Sequence, residues 1–434
     1  MKNCVNMLVA LIVTAVLQLP ATAQSESVLH RFSDGRDGAV SMAGLISDAE
    51  GNLYGTTMYG GEHCDANFFL GCGTVFELSP QANGKWRLRT LHTFLGGTDG
   101  ANPYAGLVFD SAGNLYGTTL TGGNPDLGAM GYGTVFELQH IGNNWQETVL
   151  HSFHIRDGAY PMAPLTWGPD GALYGTTSAG GHWHCTAYHL NLLGCGMVFR
   201  LKQYPSGWWE ERVHVFNGVD GAQPYGGVTF DQAGNLYGTT SEGGTLGLIQ
   251  GGGTVYQLTK VGKRKKRWVE TTLYTFPTYE GQPRGELVID SSGNVYGAAE
   301  FGGVYGSGSV FETSQSGTAW TLNTLHSFTG AYGDGWFPTA GVVLDSDGNL
   351  YGTTSGGPAG NCHVGCGQVF MLDKSNSWAE TVLHDFEGPD GALPWASLLL
   401  KGNHIYGTTY VGGISKVCLS PTYPGCGTVF EISH

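Results

Sequence analysis

The chain has 434 residues, 72 of them glycine, and a formal net charge of −15. Charged residues make up only 13% and aromatic residues 12%, the reverse of the balance in disordered chains. Glycine without a Gly-X-Y period excludes collagen, and the negative charge argues against nucleic acid or anionic membrane as general partners. Many turns between short apolar runs predict an all-β protein.

The first predicted element is a secretory signal peptide over residues 1–23. Lys2 gives it a positive start, a mostly apolar run follows, and small residues place the cleavage near Ala23. The apolar run is too short to span a bilayer comfortably, and we expect no membrane span elsewhere. The mature protein, residues 24–434, is therefore expected to be secreted or periplasmic.

A repeated tetrapeptide predicts the architecture of the mature chain. The sequence YGTT, or YGAA in one copy, starts at seven tyrosines that lie 55 to 63 residues apart. These are Tyr54, Tyr116, Tyr174, Tyr237, Tyr296, Tyr351 and Tyr406. Each copy contains four strand-like runs between turn residues; in the second copy they are residues 104–110, 114–120, 133–139 and 145–153. Four antiparallel strands per copy, repeated seven times, predict the blades of a seven-bladed β-propeller.

The two ends of the chain predict how the ring closes. Residues 27–32 (SVLHRF) match the fourth run of a copy but precede any first run, and the last copy stops at its third run. We therefore expect the N-terminal strand to complete the last blade, which removes exposed sheet edges. The predicted blades of this single domain are residues 40–94, 102–153, 160–216, 223–276, 282–328, 337–386, and 393–434 plus 27–32.

Eight cysteines fall into four close pairs, each in the loop between a second and a third strand. In a secreted protein an even count with local pairing indicates disulfides. The predicted bridges are Cys64–Cys72, Cys185–Cys195, Cys362–Cys366 and Cys418–Cys426. A zinc site is less consistent with the spacing, because no loop supplies four ligands.

These loops, and the second-to-third loop of the fourth copy, which has no cysteine and contains Leu248, carry aromatic and apolar residues. They emerge on the same propeller face as the fourth-to-first loops. Loops on a rigid scaffold are frequent binding surfaces, although such residues can also fold back over the blade rims. The candidate binding residues are Phe68, Phe69, Trp183, Tyr188, Leu248 and Tyr423.

An acidic residue followed by glycine recurs before each first strand. The set is Asp37, Asp99, Asp157, Asp220, Glu280, Asp334 and Asp390. A repeated Asx-turn explains it most simply. A ring of carboxylates that binds Ca²⁺ is the alternative, since Ca²⁺ takes six to eight oxygen ligands. No other cofactor is predicted.

The fifth copy departs from the others at several positions. Arg284 stands where most other copies have Tyr, Met or Thr, Glu286 replaces a small residue of the innermost strand, and Glu300 follows the alanine pair of YGAA. The three are candidate catalytic residues near the central channel. Drift in a redundant repeat is the alternative explanation.

The repeating unit, with its DG-A-x-P, D-x-x-GNLYGTT, GG and GTVFEL segments, resembles the Gloeo/Verruco-type (GloVer) repeat of bacterial extracytoplasmic proteins over residues 27–434. The resemblance implies a tandem-repeat protein outside the cytoplasm and supplies no catalytic residues to transfer.

Propellers host enzymes, binding modules and scaffolds alike. The expected function is a non-enzymatic binding module, a monomer that recognises a glycan or an extracellular protein through the disulfide-bearing loops. The alternatives are a hydrolase, lyase or lactonase-like enzyme that uses Glu286 and Glu300, and a purely structural protein.

Overall fold

The computed structural model describes residues 25–433 except 34, 62–63, 65–70, 125–130, 143, 182–184, 186–192, 245–250, 263–266, 279, 332, 358–361, 363–364, 415–417 and 419–424. The predicted signal peptide therefore lies outside the described residues. The strands form seven four-stranded antiparallel sheets, the blades of a β-propeller. Across the described residues no helix has the length and apolar character needed to cross a membrane.

Blades 1 to 4 follow one another along the chain. Blade 1 contains β2 (Ile46–Ser47), β3 (Leu53–Thr57), β4 (Thr74–Pro80) and β5 (Trp86–Thr93). Blade 2 contains β6 (Val108–Phe109), β7 (Leu115–Thr119), β8 (Thr134–Ile141) and β9 (Asn144–Ser152). Blade 3 contains β10 (Thr166–Trp167), β11 (Leu173–Thr177), β12 (Met197–Tyr204) and β13 (Gly207–Val215). Blade 4 contains β14 (Thr229–Phe230), β15 (Leu236–Thr240), β16 (Thr254–Val261) and β17 (Arg267–Thr275).

Blades 5 to 7 complete the ring. Blade 5 contains β18 (Val288–Ile289), β19 (Val295–Ala299), β20 (Ser309–Ser316) and β21 (Ala319–Ser327). Blade 6 contains β22 (Val343–Leu344), β23 (Leu350–Thr354), β24 (Gln368–Asp373) and β25 (Ala379–Asp385). Blade 7 contains β26 (Leu399–Lys401), β27 (His404–Thr408), β28 (Thr428–Ser433) and β1 (Ser25–Arg31). The described residues also form short 3₁₀ helices at Gly97–Asp99, Ile155–Asp157 and Lys374–Asn376.

The predicted ring closure is confirmed. β1 pairs antiparallel with β28, so the N-terminal strand is the outermost strand of the last blade. Immediately after β1, the Phe32 N–H donates to the Gly427 carbonyl over 3.1 Å.

The innermost strands are shorter than the sequence predicts. In blade 2 only Val108–Phe109 pairs with its neighbour, whereas residues 104–110 were expected to form the strand. The preceding residues are held by the adjacent blade instead, because the Thr56 hydroxyl donates to the Ala105 carbonyl over 2.9 Å. The first threonine of YGTT makes the same bond from Thr176 to Gly226, from Thr239 to Gly285 and from Thr408 to Ala43.

The apolar core lies between the blades. Each buried cluster combines residues of two consecutive sheets, as Tyr54, Phe94 and Phe136 do between blades 1 and 2. Phe94, which follows the fourth strand of blade 1, packs edge-to-face on Phe136 of blade 2 with 5.1 Å between ring centroids. Such inter-blade aromatic pairs recur around the ring. Their edge-to-face contact stabilises the fold beyond the contribution of the apolar area that they bury. The repeated phenylalanines are therefore structural.

A β-bulge in each fourth strand positions the repeated histidines. In blade 1 Leu91 is the extra residue, because Phe76 pairs with Thr90 and Val75 with His92. A bulge redirects the side chains beyond it. Six histidines thereby lie 2.9 to 3.7 Å from an aspartate of the following loop: His30, His92, His151, His214, His326 and His384. His30, His214 and His384 hydrogen-bond to that aspartate, and the recurrence of the histidine in six blades indicates a structural role.

Candidate functional site at the channel mouth

The innermost segments of all seven blades enclose a central cavity of about 640 Å³. One side chain from each blade lines it just after the fourth-to-first loop, so these seven lie at the end of the cavity nearer the disulfide-bearing loops. We call them the mouth ring: Met42, Tyr104, Met162, Tyr225, Arg284, Thr339 and Trp395. A cavity of this size is in the range that accommodates small molecules, roughly 300–1,000 Å³.

Three of the seven side chains of the mouth ring are aromatic, namely Tyr104, Tyr225 and Trp395. Trp395 stacks on Tyr410 with 4.6 Å between ring centroids and 19° between ring planes. Burial raises the pKa of Tyr104 to about 12, so its hydroxyl stays protonated and can donate a hydrogen bond at neutral pH. The buried Trp395 Nε1 and Thr339 Oγ1 have no hydrogen-bond partner among the described residues, an unusual state for buried polar atoms.

Arg284 occupies the centre of a charged group on the same ring. Its Nε lies 2.7 Å from Glu300 Oε2, and its guanidinium lies 5.3 Å from the centroid of the Tyr225 ring. The Arg284 side chain is 42% exposed, whereas that of Glu300 is only 14% exposed. Burial raises the pKa of Glu300 and Arg284 opposes that shift. A second carboxyl, that of Glu242, has its pKa raised to about 7 by burial, again with Arg284 in opposition.

Glu286 lines the cavity from the innermost segment of blade 5. Its position corresponds to Gly227 in blade 4, and a Cβ added to Gly227 would lie 2.9 Å from Glu286 Oε1. The glycine of the adjacent blade therefore provides the space for this glutamate. Burial raises the pKa of Glu286 to about 7, so the carboxyl is near its titration point at neutral pH.

The structure thus brings the three predicted catalytic candidates into one cavity. Among the described residues that line it, Glu286 and Glu300 are the only carboxylic acids and Arg284 is the only lysine or arginine. A carboxyl with a pKa near 7 can donate or accept a proton at neutral pH. The arrangement can also bind a polyhydroxylated ligand, because an ion pair presents donors and acceptors beside aromatic rings.

The four predicted disulfides are present: Cys64–Cys72, Cys185–Cys195, Cys362–Cys366 and Cys418–Cys426. The second cysteine of each pair is buried where its loop returns to the third strand. The six candidate binding residues Phe68, Phe69, Trp183, Tyr188, Leu248 and Tyr423 lie outside the described residues.

Other apolar side chains lie on the propeller face that carries the second-to-third and fourth-to-first loops. We call this face the loop face. Five residues of its fourth-to-first and second-to-third loops are between 46% and 81% exposed: Leu95, Val219, Val304, Tyr305 and Ile414. Exposed apolar groups that gather on one face often mark an interaction site.

The seven acidic residues before the first strands do not gather into a single site. Six of them, Asp37, Asp99, Asp157, Asp220, Asp334 and Asp390, each lie beside the histidine of the preceding strand and accept a backbone N–H from three to five residues earlier. This closes the preceding turn, in the opposite direction to an Asx-turn. Glu280 aligns with the glycine rather than the aspartate, because Gly281 pairs with Phe301 where Ala222 pairs with Glu242. Within the described part of the chain, no cluster of three or more metal-ligating groups contains two of these seven acids.

Sequence reasoning missed two parts of the site. The aromatic members of the mouth ring could have been found, because each follows the proline of the DG-A-x-P segment and therefore recurs at one position. Glu242 could have been found as the acid two residues after YGTT in blade 4. Its proximity to Arg284 of the next blade required the packing of the two sheets.

Comparisons with known proteins place the chain in a family without assigning an activity. The profile of the Gloeobacter/Verrucomicrobia repeat matches residues 14–201 and 180–420. No curated protein matches the chain.

Several solved structures have a similar fold. A fungal alcohol oxidase of the AA5 family, in complex with copper, is 12% identical with a TM-score of 0.55, over 95% of this chain and 77% of that one. A protein of unknown function from Dyadobacter fermentans is 12% identical with a TM-score of 0.44, over 95% of this chain and 99% of that one. A putative glucose dehydrogenase from Thermus thermophilus is 16% identical with a TM-score of 0.44, over 94% of this chain and 100% of that one. At 12% identity the likeness to the alcohol oxidase shows the propeller fold alone.

The family match spans most of the chain, and the seven four-stranded blades follow the repeat that defines it. The chain is a member of the Gloeobacter/Verrucomicrobia repeat family.

Proposed function

We propose that the protein is a non-enzymatic module that binds a glycan at the mouth ring and the surrounding loop face. The observation that carries the proposal is the mouth ring itself. It combines the Tyr104 ring and the Trp395 ring, which stacks on Tyr410, with the Tyr225 ring beside the Arg284–Glu300 ion pair. All of these groups border one cavity, or pack directly on a residue that does.

The chemistry of the mouth ring suits a sugar. Aromatic rings offer flat apolar surface for the C–H face of a pyranose, and tyrosine and tryptophan add polar groups at the ring edge. Arg284 and Glu300 supply donors and acceptors at a spacing that adjacent hydroxyls can use. The unpartnered Trp395 Nε1 and Thr339 Oγ1 offer further hydrogen bonds.

The surroundings of the mouth ring favour binding over a purely structural role. Four loops of this face are closed by disulfides, which reduce the entropy that a loop loses when a ligand orders it. The exposed Val304 and Tyr305 lie in the second-to-third loop of blade 5, and the exposed Ile414 lies in the second-to-third loop of blade 7. They extend the apolar surface beyond the channel, as a chain longer than one sugar would require.

The direct test is a screen of the purified, disulfide-bonded protein against a panel of neutral and acidic polysaccharides and oligosaccharides. We expect saturable binding to at least one of them by isothermal titration calorimetry. Absence of binding across the panel, with saturable capture of an extracellular protein instead, would contradict the glycan proposal.

A matched pair of tryptophan variants tests where the glycan binds. Trp395→Ala removes the stacked ring of the mouth ring and should weaken binding about tenfold or more, which corresponds to ~1.4 kcal/mol. Trp209→Ala removes a 59% exposed ring on the hairpin between β12 and β13 and should leave the affinity within twofold. Equal losses in the two variants would contradict the location.

Glu286 supports a second candidate function. A carboxyl with a pKa raised to about 7 in a cavity is suited to general acid–base catalysis, so a hydrolase, lyase or lactonase could use it together with Glu300. Mass spectrometry of the bound glycan after long incubation separates the two functions. An intact glycan supports the binding module, whereas cleavage by the wild type that is lost in Glu286→Gln would establish the enzyme.

A further inference from the structure

A polar cluster recurs between the blades, away from the central cavity. At the interface of blades 5 and 6, His326 of β21 lies beside Asp334 of the following loop, and Glu380 of β25 faces this pair. The glutamate position is identifiable by register, since each such residue pairs with the fifth residue of the third strand, as Glu380 does with Leu372. The five glutamates and their partners are Glu26 with His384 and Asp390, Glu147 with Asp99 beside His92, Glu210 with His151 and Asp157, Glu270 with His214 and Asp220, and Glu380 with His326 and Asp334.

Two of the five clusters have the spacing of metal ligands. In Glu26/His384/Asp390 and in His326/Asp334/Glu380, one ligand atom from each residue lies within 4.8 Å of the other two. His326 Nε2 is 3.7 Å from Asp334 Oδ1 and 3.8 Å from Glu380 Oε2. These separations are too long for hydrogen bonds. They are close to the distance of about 3.4 Å that separates two ligand atoms on one tetrahedral Zn²⁺ with bonds of ~2.1 Å.

The same cluster contains unsatisfied buried atoms. Among the described residues, His326 Nε2, Asp334 Oδ1 and Glu380 Oε1 are buried and have no hydrogen-bond partner. Buried polar atoms are nearly always paired, so three such atoms in one cluster require an explanation. A cation bonded to all three residues would provide it.

The second cluster joins the closing strand to its neighbour. Glu26 lies on β1, the outermost strand of blade 7, whereas His384 is the second-to-last residue of β25 of blade 6 and Asp390 follows in the next loop. His384 Nε2 and Asp390 Oδ2 are 2.9 Å apart, and the buried Glu26 Oε1 lacks a hydrogen-bond partner in the described part of the chain. An ion bound here would connect the N-terminal strand to the rest of the ring.

We propose that these two clusters are structural binding sites for a divalent transition-metal ion of the Zn²⁺ type, one on each side of blade 6. Each site offers an imidazole nitrogen and two carboxylates, ligands that Zn²⁺ accepts, and leaves a fourth position for water. Ca²⁺ fits poorly, because it takes six to eight oxygen ligands and each site has one nitrogen and few oxygens. The sites differ from a ring of aspartates around the channel, since each draws its ligands from two adjacent blades.

The experiment is a calorimetric titration of the chelator-treated, disulfide-bonded protein with Zn²⁺. We expect two bound ions per chain and a higher melting temperature in their presence. Glu380→Gln and Glu26→Gln should each reduce the stoichiometry to one, and the double variant should bind none. Glu147→Gln, at an interface where the three groups do not form such a cluster, is the matched control and should retain two.

Other results would overturn the proposal. Absence of Zn²⁺ binding would contradict it. A stoichiometry that neither Glu380→Gln nor Glu26→Gln lowers, or that Glu147→Gln lowers equally, would also contradict it, because the ions would then bind at other residues. Stronger binding of Ca²⁺ than of Zn²⁺ would also contradict it. If a glutamine variant is poorly folded, Glu380→Leu replaces it, because Leu88 and Leu322 occupy the same strand position in blades 1 and 5. The melting temperature without metal checks the fold of each variant.

Discussion

The glutamate that faces a His–Asp pair across a blade interface shows how a single side chain links two blades. Glu147 of β9 faces Asp99 and His92 at the interface of blades 1 and 2, outside the two clusters with metal-ligand spacing. Burial is the main cause that raises the pKa of Glu147 to about 8, and the nearby Asp99 adds to it. At neutral pH this carboxyl is therefore mostly protonated in the folded protein.

The raised pKa predicts a pH-dependent effect of Glu147→Gln on stability. The folded-state pKa of about 8 exceeds the ordinary value of 4.5, so the wild type loses stability from this group as the pH rises from about 4.5 through 8. Glutamine does not titrate, so the variant should gain roughly 1–2 kcal/mol of unfolding free energy relative to the wild type between pH 5 and pH 8.5, after allowance for solvent screening.

Urea denaturation at the two pH values measures this difference. Glu50→Gln, at an exposed turn position, is the control and should follow the wild type at both. A Glu147→Gln difference that is the same at pH 5 and pH 8.5 would show that the carboxyl is not protonated in the folded state.

At the scale of the element, β1 is the strand on which ring closure depends. It pairs with β28 along six residue pairs, and β28 would otherwise be the edge of an open sheet. Unpaired edge strands favour association with other chains. The buried Phe32, just after β1, also packs on Phe76 of blade 1 with 5.4 Å between ring centroids. The strand therefore contributes hydrogen bonds to one blade and apolar contacts to the next.

Deletion of residues 25–32 from the chain should lower the melting temperature and produce oligomers or aggregates in size-exclusion chromatography. A synthetic peptide of residues 24–33 should restore the monomer by occupying the vacant edge, whereas a scrambled peptide should not. A deleted protein that remains monomeric with an unchanged melting temperature would show that β1 is dispensable for closure.

The elements were predictable to different extents. The alternation of YGTT with GTVFEL predicted the second and third strands, because both are fully paired inside a sheet. The innermost strands are shorter than predicted, since the Thr56 hydroxyl of blade 1 donates a hydrogen bond to the Ala105 carbonyl of blade 2. The bulge at Leu91 was not predictable from alternation, because it breaks the period of two that reveals a strand.

For the whole molecule, the displaced fourth strand made ring closure predictable, and the cysteine spacing made the disulfides predictable. The candidate site was predictable only in part. Arg284, Glu286 and Glu300 stand out because a repeat reveals its exceptions. The convergence of Tyr104, Tyr225 and Trp395 from blades 2, 4 and 7 on one cavity, in contrast, requires seven sheets packed around an axis. The inter-blade clusters were missed for the same reason, since Glu380 and His326 belong to different blades.

Glycan binding at the mouth ring and the loop face can be located by amide hydrogen exchange of the full protein, with and without a saturating oligosaccharide from the binding panel. We expect slower exchange around Tyr104, Tyr225 and Trp395, and unchanged exchange in the outer hairpin formed by β12 and β13. Protection confined to that hairpin, or to other surfaces away from the channel, would contradict this location.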